Sequence, residues 1–253
     1  SVVRFVRAGN PHRPLRRRTE SGRGDRIAAS VVNVTRIALL WLALALACGS
    51  AGASRQQIVP DDDVDVAAGW NAYRASDQAR ALTHYRRAAD RNNRVAQFNL
   101  AIMLLAGEGT TADPWSGVAW LRKSAELGFA RAQFALALLH EKGEHVTRSQ
   151  VEATAWFRRA AEQNHLEAQV ALATQYFLGR GAPRDFKQAA QWYERAADQG
   201  DEASAYIIAS LYEKGEGVEQ DYPRALYYYS RAASGGEPAA LMKAREMRDK
   251  LPR

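Results

Sequence analysis

A step of 36 residues constrains what this chain can fold into more than any other feature. Residues 185–200, DFKQAAQWYERAADQG, put Ala189, Trp192, Tyr193, Ala196 and Ala197 on one face at helical spacing, the mark of an amphipathic helix. Moving back or forward by 36 finds the segment again. Its opening position reads Asp77, Asp113, Ser149, Asp185 and Asp221, all side chains that cap a helix N-terminus. Its closing position reads Asn92, Gly128, Asn164, Gly200 and Gly236, residues that tolerate a left-handed backbone.

Between these ends the large positions are Trp120, Trp156, Trp192 and Tyr228, with His84 in the first copy, followed by Tyr85, Leu121, Phe157, Tyr193 and Tyr229. A small column, Ala88, Ser124, Ala160, Ala196 and Ala232, sits one turn on, so rings and methyl-sized residues interlock between neighbouring helices. A second helix precedes each of these. Leu100, Leu136, Leu172 and Ile208 are each followed by alanine, at 101, 137, 173 and 209, and the helix stops at Gly107, Gly143, Gly179 and Gly215. The chain therefore reads as an array of antiparallel helix pairs, each unit burying its apolar face on the next.

The unit AQFNLAIMLLAGEGTTADPWSGVAWLRKSAELG resembles a Sel-one-like repeat (SLR), a longer-looped relative of the tetratricopeptide repeat, and the pattern recurs in the three units after it. The resemblance implies an all-α fold, a right-handed solenoid of helix pairs, whose first helices line a concave face that binds peptides or protein segments. The expected organisation is a basic arm with an export signal or anchor (1–53), a linker (54–63), a tetratricopeptide-like first unit (64–93), four Sel-one-like repeats (94–236) and a capping helix with tail (237–253). In the first unit Gly69 and Ala81 stand twelve apart, the spacing of a tighter turn.

Columns that stay constant are accounted for by packing; columns that vary have no such duty. In the first helices the changeable columns are Val95, Arg131, Glu167 and Ala203; Phe98, Phe134, Val170 and Tyr206; Ile102, Leu138, Thr174 and Ser210; and Leu105, Glu141, Phe177 and Glu213. Within a unit these positions share one stripe. The expectation is that a partner segment docks there, with Phe98, Phe134 and Phe177 as anchors and Arg131, Glu141 and Glu213 setting its register. The competing reading of the Phe98 column is interhelical core.

Charge argues against nucleic acid as a partner. Residues 1–53 carry nine arginines against two acids, which is the whole of the net charge of +7, so the array balances its cations and anions. Residues 37–47, IALLWLALALA, are too short for a membrane-spanning helix and fit the apolar region of a secretory signal, with Ala51 and Ala53 marking a cleavage site before Ser54. The expected location is outside the cytoplasm, in the periplasm or cell envelope, with membrane contact only through the N-terminal segment. Joined to residues 27–34, the same run could instead be an uncleaved anchor, and Cys48, the only cysteine, is a candidate lipidation site.

Chemistry finds little purchase. In residues 140–145, HEKGEH, the spacing misses both H-E-x-x-H and its inverse, and Gly143 breaks the helix that would align two ligands. The glycine-rich loops lack the Lys and Ser or Thr of a phosphate loop. Asp61, Asp62, Asp63 and Asp65 read as acids at the positive end of the first helix rather than a cation loop. Some cysteine-rich relatives carry a β-lactamase label, yet no S-x-x-K is present here. A binding scaffold without catalytic residues, metal or cofactor is the reading; the alternatives are an envelope hydrolase and an anchored factor for exopolysaccharide export.

Overall fold

A computed structural model describes residues 63–252, and the caps expected at the second helices are all in place there. Asp77, Asp113, Ser149, Asp185 and Asp221 each accept a hydrogen bond from the amide three residues on. Such a cap contributes about 1 kcal/mol. At the far ends Asn92, Gly128, Asn164, Gly200 and Gly236 all have positive φ, as do the first-helix closers Gly107, Gly143, Gly179 and Gly215. Both ends of the second helices are thus set by local chain chemistry.

Eleven helices result among the described residues: α1 (Val64–Arg74), α2 (Gln78–Asp90), α3 (Arg94–Ala106), α4 (Pro114–Glu126), α5 (Ala130–Lys142), α6 (Gln150–Glu162), α7 (Leu166–Leu178), α8 (Phe186–Asp198), α9 (Glu202–Lys214), α10 (Tyr222–Ala233) and α11 (Pro238–Asp249). Packing runs chiefly between helices consecutive in sequence, which is the contact pattern of a solenoid. Residues 75–77 join α1 to α2, whereas residues 107–113 join α3 to α4, so the first unit has the tighter turn its spacing implied.

Three sets of side chains hold the stack. Ala101, Ala137, Ala173 and Ala209 are fully buried where paired helices approach, beside the equally buried Leu100, Leu136, Leu172 and Ile208. Tyr85, Leu121, Phe157, Tyr193 and Tyr229 are buried, and Phe157, Tyr193 and Tyr229 meet Phe134, Phe177 and Tyr206 on the first helix of their own unit. The loop between paired helices is locked by a close approach: a Cβ on Gly109 would stand 2.6 Å from the Gln78 carbonyl oxygen of the preceding unit, and Gly181 and Gly217 meet Gln150 and Phe186 in the same way. His145 occupies this column in its own unit with φ of 59°.

Buried glutamines add a linkage that the constant and variable columns of the sequence did not reveal. Gln97, Gln133 and Gln169 donate through Nε2 to the carbonyls of Ala89, Ala125 and Ala161 at 3.3, 3.0 and 3.3 Å, near the end of the preceding second helix. Gln163 and Gln199 in turn donate to the Oε1 atoms of Gln133 and Gln169, at 2.7 and 2.6 Å. The recurring Ala-Gln pair at 96–97, 132–133 and 168–169 was the available signal.

At the C-terminal end of the described residues α11 packs on α10. Ala240, Ala244 and Met247 are buried on one side, while Arg245 and Arg248 stand in the columns of Ala101 and Leu104 and face outward as exposed charges. At the other end Asp63 caps α1 and pairs with Arg91 at 2.7 Å, and Asp65 meets His84 at 2.8 Å. The acids thus serve the helix N-terminus; Asp61 and Asp62 lie outside the described residues.

Candidate partner-binding surface

The first helices α3, α5, α7 and α9 carry the variable stripe, and the structure divides it into interior and accessible parts. Val95, Phe134, Leu138 and Thr174 are buried. Phe134 is 7% exposed, its ring tilted against Phe157 at 5.7 Å and stacked on His165 at 4.8 Å. Its expected place as a docking anchor is corrected: the second helix of its own unit and the loop before α7 close over the ring, so it packs that helix pair together. Thr174 faces the Tyr193 hydroxyl at 3.0 Å and is likewise engaged inside.

Phe98, Ile102 and Leu105 on α3 remain half-buried, as do Val170 and Phe177 on α7 and Tyr206 and Ser210 on α9. Each ring leans edge-on against a neighbour: Phe98 on Phe129 at 5.3 Å, Phe177 on Phe186 at 5.4 Å, Tyr206 on Tyr229 at 5.2 Å. These contacts hold the rings in defined orientations while leaving part of each accessible. Rigid, partly exposed aromatic residues lose little conformational entropy when a partner covers them.

The acids proposed to set register have internal duties. Glu141 accepts a hydrogen bond from Gln175 Nε2 at 2.8 Å, joining successive first helices. Glu213 accepts from the Tyr229 hydroxyl at 2.7 Å and from Lys243 Nζ at 2.9 Å, so it ties α9 to α11. Burial alone would raise the Glu213 pKa; the bonds from Lys243 and Tyr229 outweigh it and hold the carboxyl below its ordinary value. Glu167 is exposed and lies 3.2 Å from His165 Nδ1. Arg131 is half-buried at the start of α5.

One cleft adjoins the stripe. It is an open depression of about 280 Å³ beside the start of α3 and the loops that precede α5 and α7, lined by Arg94, Phe129, Ala130, Arg131, Asn164 and His165, among others. Burial lowers the His165 pKa, Glu167 opposes that shift, and Arg131 adds to it. Neither α5 nor α7 has a side-chain cap at its N-terminus, in contrast to α3 and α9, which Asn93 and Asp201 cap.

The histidines singled out in the sequence do not converge. His140 is buried with Nδ1 3.3 Å from the Thr147 carbonyl oxygen, while His145 is exposed. Among the described residues no group of three His, Cys, Asp or Glu stands in metal-binding proximity. Cys48 and residues 37–47 lie outside the described residues, and no described helix is long and apolar enough to cross a membrane.

The repeat geometry has a counterpart in known proteins. The family model for the Sel1 repeat matches residues 71–93, 94–129, 130–165, 166–201 and 203–237. The chain belongs to the Sel1 repeat family. The boundaries at 93/94, 129/130 and 165/166 fall between units, and the first match opens at residue 71, inside α1 of the tight-turned first unit. A crystal structure of a Sel1 repeat protein from Oxalobacter formigenes is 35% identical over 72% of this chain and 74% of its own, with a TM-score of 0.66. At 29% identity and the same TM-score, c5321, described as a protective antigen of uropathogenic Escherichia coli with an SLR fold, aligns over 72% of this chain; the alignment spans 40% of that longer protein. No curated protein matches the chain. Sel1 repeats typically serve as scaffolds for protein–protein interaction, and this solenoid has the architecture of one.

Proposed function

We propose that this Sel1 repeat protein is an exported, non-enzymatic scaffold that captures a segment of a protein partner along its first helices, in assembly or signalling at a bacterial envelope. The observation that carries this reading is the accessible apolar stretch of Phe98, Ile102 and Leu105 on α3, continued by Phe177 on α7, on helices whose other faces are committed to packing. A partner segment covering those rings would remove apolar surface from water and gain about 25 cal/mol per Å² buried. Export rests on the apolar run at residues 37–47 and the alanines at 51 and 53. The description of the E. coli relative as a protective antigen accords with an envelope location.

The test is crosslinking capture from envelope extracts, with the full chain as bait. Phe98→Ala combined with Phe177→Ala should lower the affinity for a specific partner about thirtyfold or more, read as reduced recovery with the melting temperature checked alongside, because truncating two central anchors costs on the order of 2 kcal/mol or more. Arg131→Glu should lower it as well. A partner recovered equally well by wild type and by folded variants would rule out the stripe as the site.

A further inference from the structure

We propose that the array contains a hinge at the junction between the repeats at residues 94–129 and 130–165. It opens at the loop between α5 and α6, pivots near Gln133, and adjusts how Phe98 on one side stands to Phe177 on the other. Its use in partner capture rests on the scaffold reading; the hinge itself rests on the packing of this one junction.

At one end of the helices, each junction is closed by a glycine of the inter-helix loop resting on the first residue of the preceding second helix. A Cβ on Gly109 would come within 2.6 Å of the Gln78 carbonyl oxygen on α2, and one on Gly181 or Gly217 would meet Gln150 on α6 or Phe186 on α8 more closely still. At the junction between 94–129 and 130–165 that position is His145, with Pro114 of α4 in the matching register. Its Cβ needs the space that the glycines leave empty. Its φ of 59° is also a conformation less favourable for a residue with a side chain than for glycine. The loop therefore cannot seat on α4 as its counterparts seat on α2, α6 and α8.

Two polar ties that cross later junctions are missing here as well. Tyr176 accepts a hydrogen bond from Arg158 on α6, and Tyr212 donates to Glu194 on α8 at 2.9 Å. His140 holds their column; its Nδ1 turns to the Thr147 carbonyl oxygen of its own loop at 3.3 Å, and its Nε2 is buried with no partner among the described residues. Tyr228 donates back to Glu194 and Asp198 on α8, at 3.1 and 3.2 Å. Trp156 holds that column, and its Nε1 is likewise buried without a partner among the described residues. Buried polar atoms that are unpaired in the closed state gain water when the junction opens, so both favour opening. The opposite end stays joined. Gln133 Nε2 donates to the Ala125 carbonyl oxygen at 3.0 Å, and residues 127–129 connect α4 to α5 directly. Helices of 13 residues set the two ends about 20 Å apart, so a small rotation at Gln133 is amplified at the loop. Phe98 precedes the junction and Phe177 follows it, and the same rotation changes their separation and relative orientation.

The experiment combines hydrogen–deuterium exchange with spin-label distances on the full chain. The Glu144 and Ser149 amides donate to the Leu139 and His140 carbonyls just as those of Arg180 and Asp185 donate to Gln175 and Tyr176, so a difference in exchange reports opening and not a missing bond. Residues 144–149 should exchange about tenfold faster than residues 180–185, and His145→Gly should remove most of that difference. His140→Tyr, which sets a phenol beside Arg122 at the place of Arg158, should slow exchange further. In a Cys48→Ser background, Ala119→Cys with Gln191→Cys carries labels across the junction, and Ala155→Cys with Tyr227→Cys carries them across later ones alone; all four positions are exposed. The first pair should give the broader distance distribution, and His145→Gly should narrow it to the width of the second. Equal exchange in the two loops overturns the inference. Fast exchange with equally narrow distributions also overturns it, by confining the motion to the loop, as does a broad distribution that His145→Gly leaves unchanged. A rigid junction leaves the scaffold reading standing. Only capture that is insensitive to Phe98→Ala and Phe177→Ala removes that.

Discussion

At the scale of single residues, the ends of the helices are where the sequence speaks most directly. Asp185 caps α8 because its short carboxylate reaches the Gln188 amide at 3.0 Å, a bond that depends on local chain geometry alone. Gln169 is different in kind. Its amide bonds to a carbonyl eight residues earlier and accepts from Gln199 thirty residues later, so its role exists only once the units have stacked. The acids at the array's start carry a pH consequence. The hydrogen bond from Arg91 holds Asp63 below its ordinary carboxylate value, and the bond from His84 does the same for Asp65. A depressed folded-state pKa contributes stability above the unfolded value near 3.8 that is lost as pH falls through the folded value. Melting temperature should therefore fall as pH is lowered from about 5 towards 3. Arg91→Ala should flatten that dependence, measured by circular dichroism across the series. The effect is small because Arg91 is about half exposed.

At the scale of elements, paired helices meet across alanines that leave no room for a longer side chain. Ala173 on α7 is fully buried. Ala173→Leu should destabilise the protein by about 1–3 kcal/mol through overpacking, read as a lower midpoint in urea with the helical signal retained below it. The variable stripe shows where column comparison stops. Phe98 and Phe134 hold the same repeat position, yet Phe98 is half-buried and Phe134 buried. The difference lies in the side chain that the next inter-unit loop brings against each ring: Phe129 meets Phe98 edge-on, whereas His165 stacks on Phe134. Likewise Glu141 and Glu213 share a column and read as exposed register charges, but Gln175 and Lys243 occupy them. Those partners come from later units and stand at different repeat positions: Gln175 falls in the column of Met247, Lys243 in that of Ala171.

At the scale of the whole molecule, a stack of units with chiefly nearest-neighbour contacts should tolerate removal of one of them. Deleting residues 166–201 joins His165 to Glu202 in the same register, since the family match breaks there. The shortened protein should keep its helical content per residue by circular dichroism. It should melt at a lower temperature, because one interface between units is lost. A collapse of helical signal in the shortened chain would show that the array folds as a single block instead. Helix α11 belongs to this scale too: it packs on α10, and its arginines at 245 and 248 are exposed at positions where earlier units carry an alanine and a large interior residue.

The sequence by itself determined the period, the helix pairs, their caps and closers, and the family, because each depends on contacts within a few residues or on a pattern repeated at fixed distance. It also carried the small-residue columns, since close helix approach demands them wherever the pairing occurs. Tertiary structure alone decided which stripe residues are accessible. It also assembled the cleft of Arg94, Arg131 and His165, whose members stand in different repeat columns on two successive units. A column comparison assigns one role to every residue at a given position. Accessibility depends on which side chains the neighbouring unit brings against it, and that is settled only when the units pack.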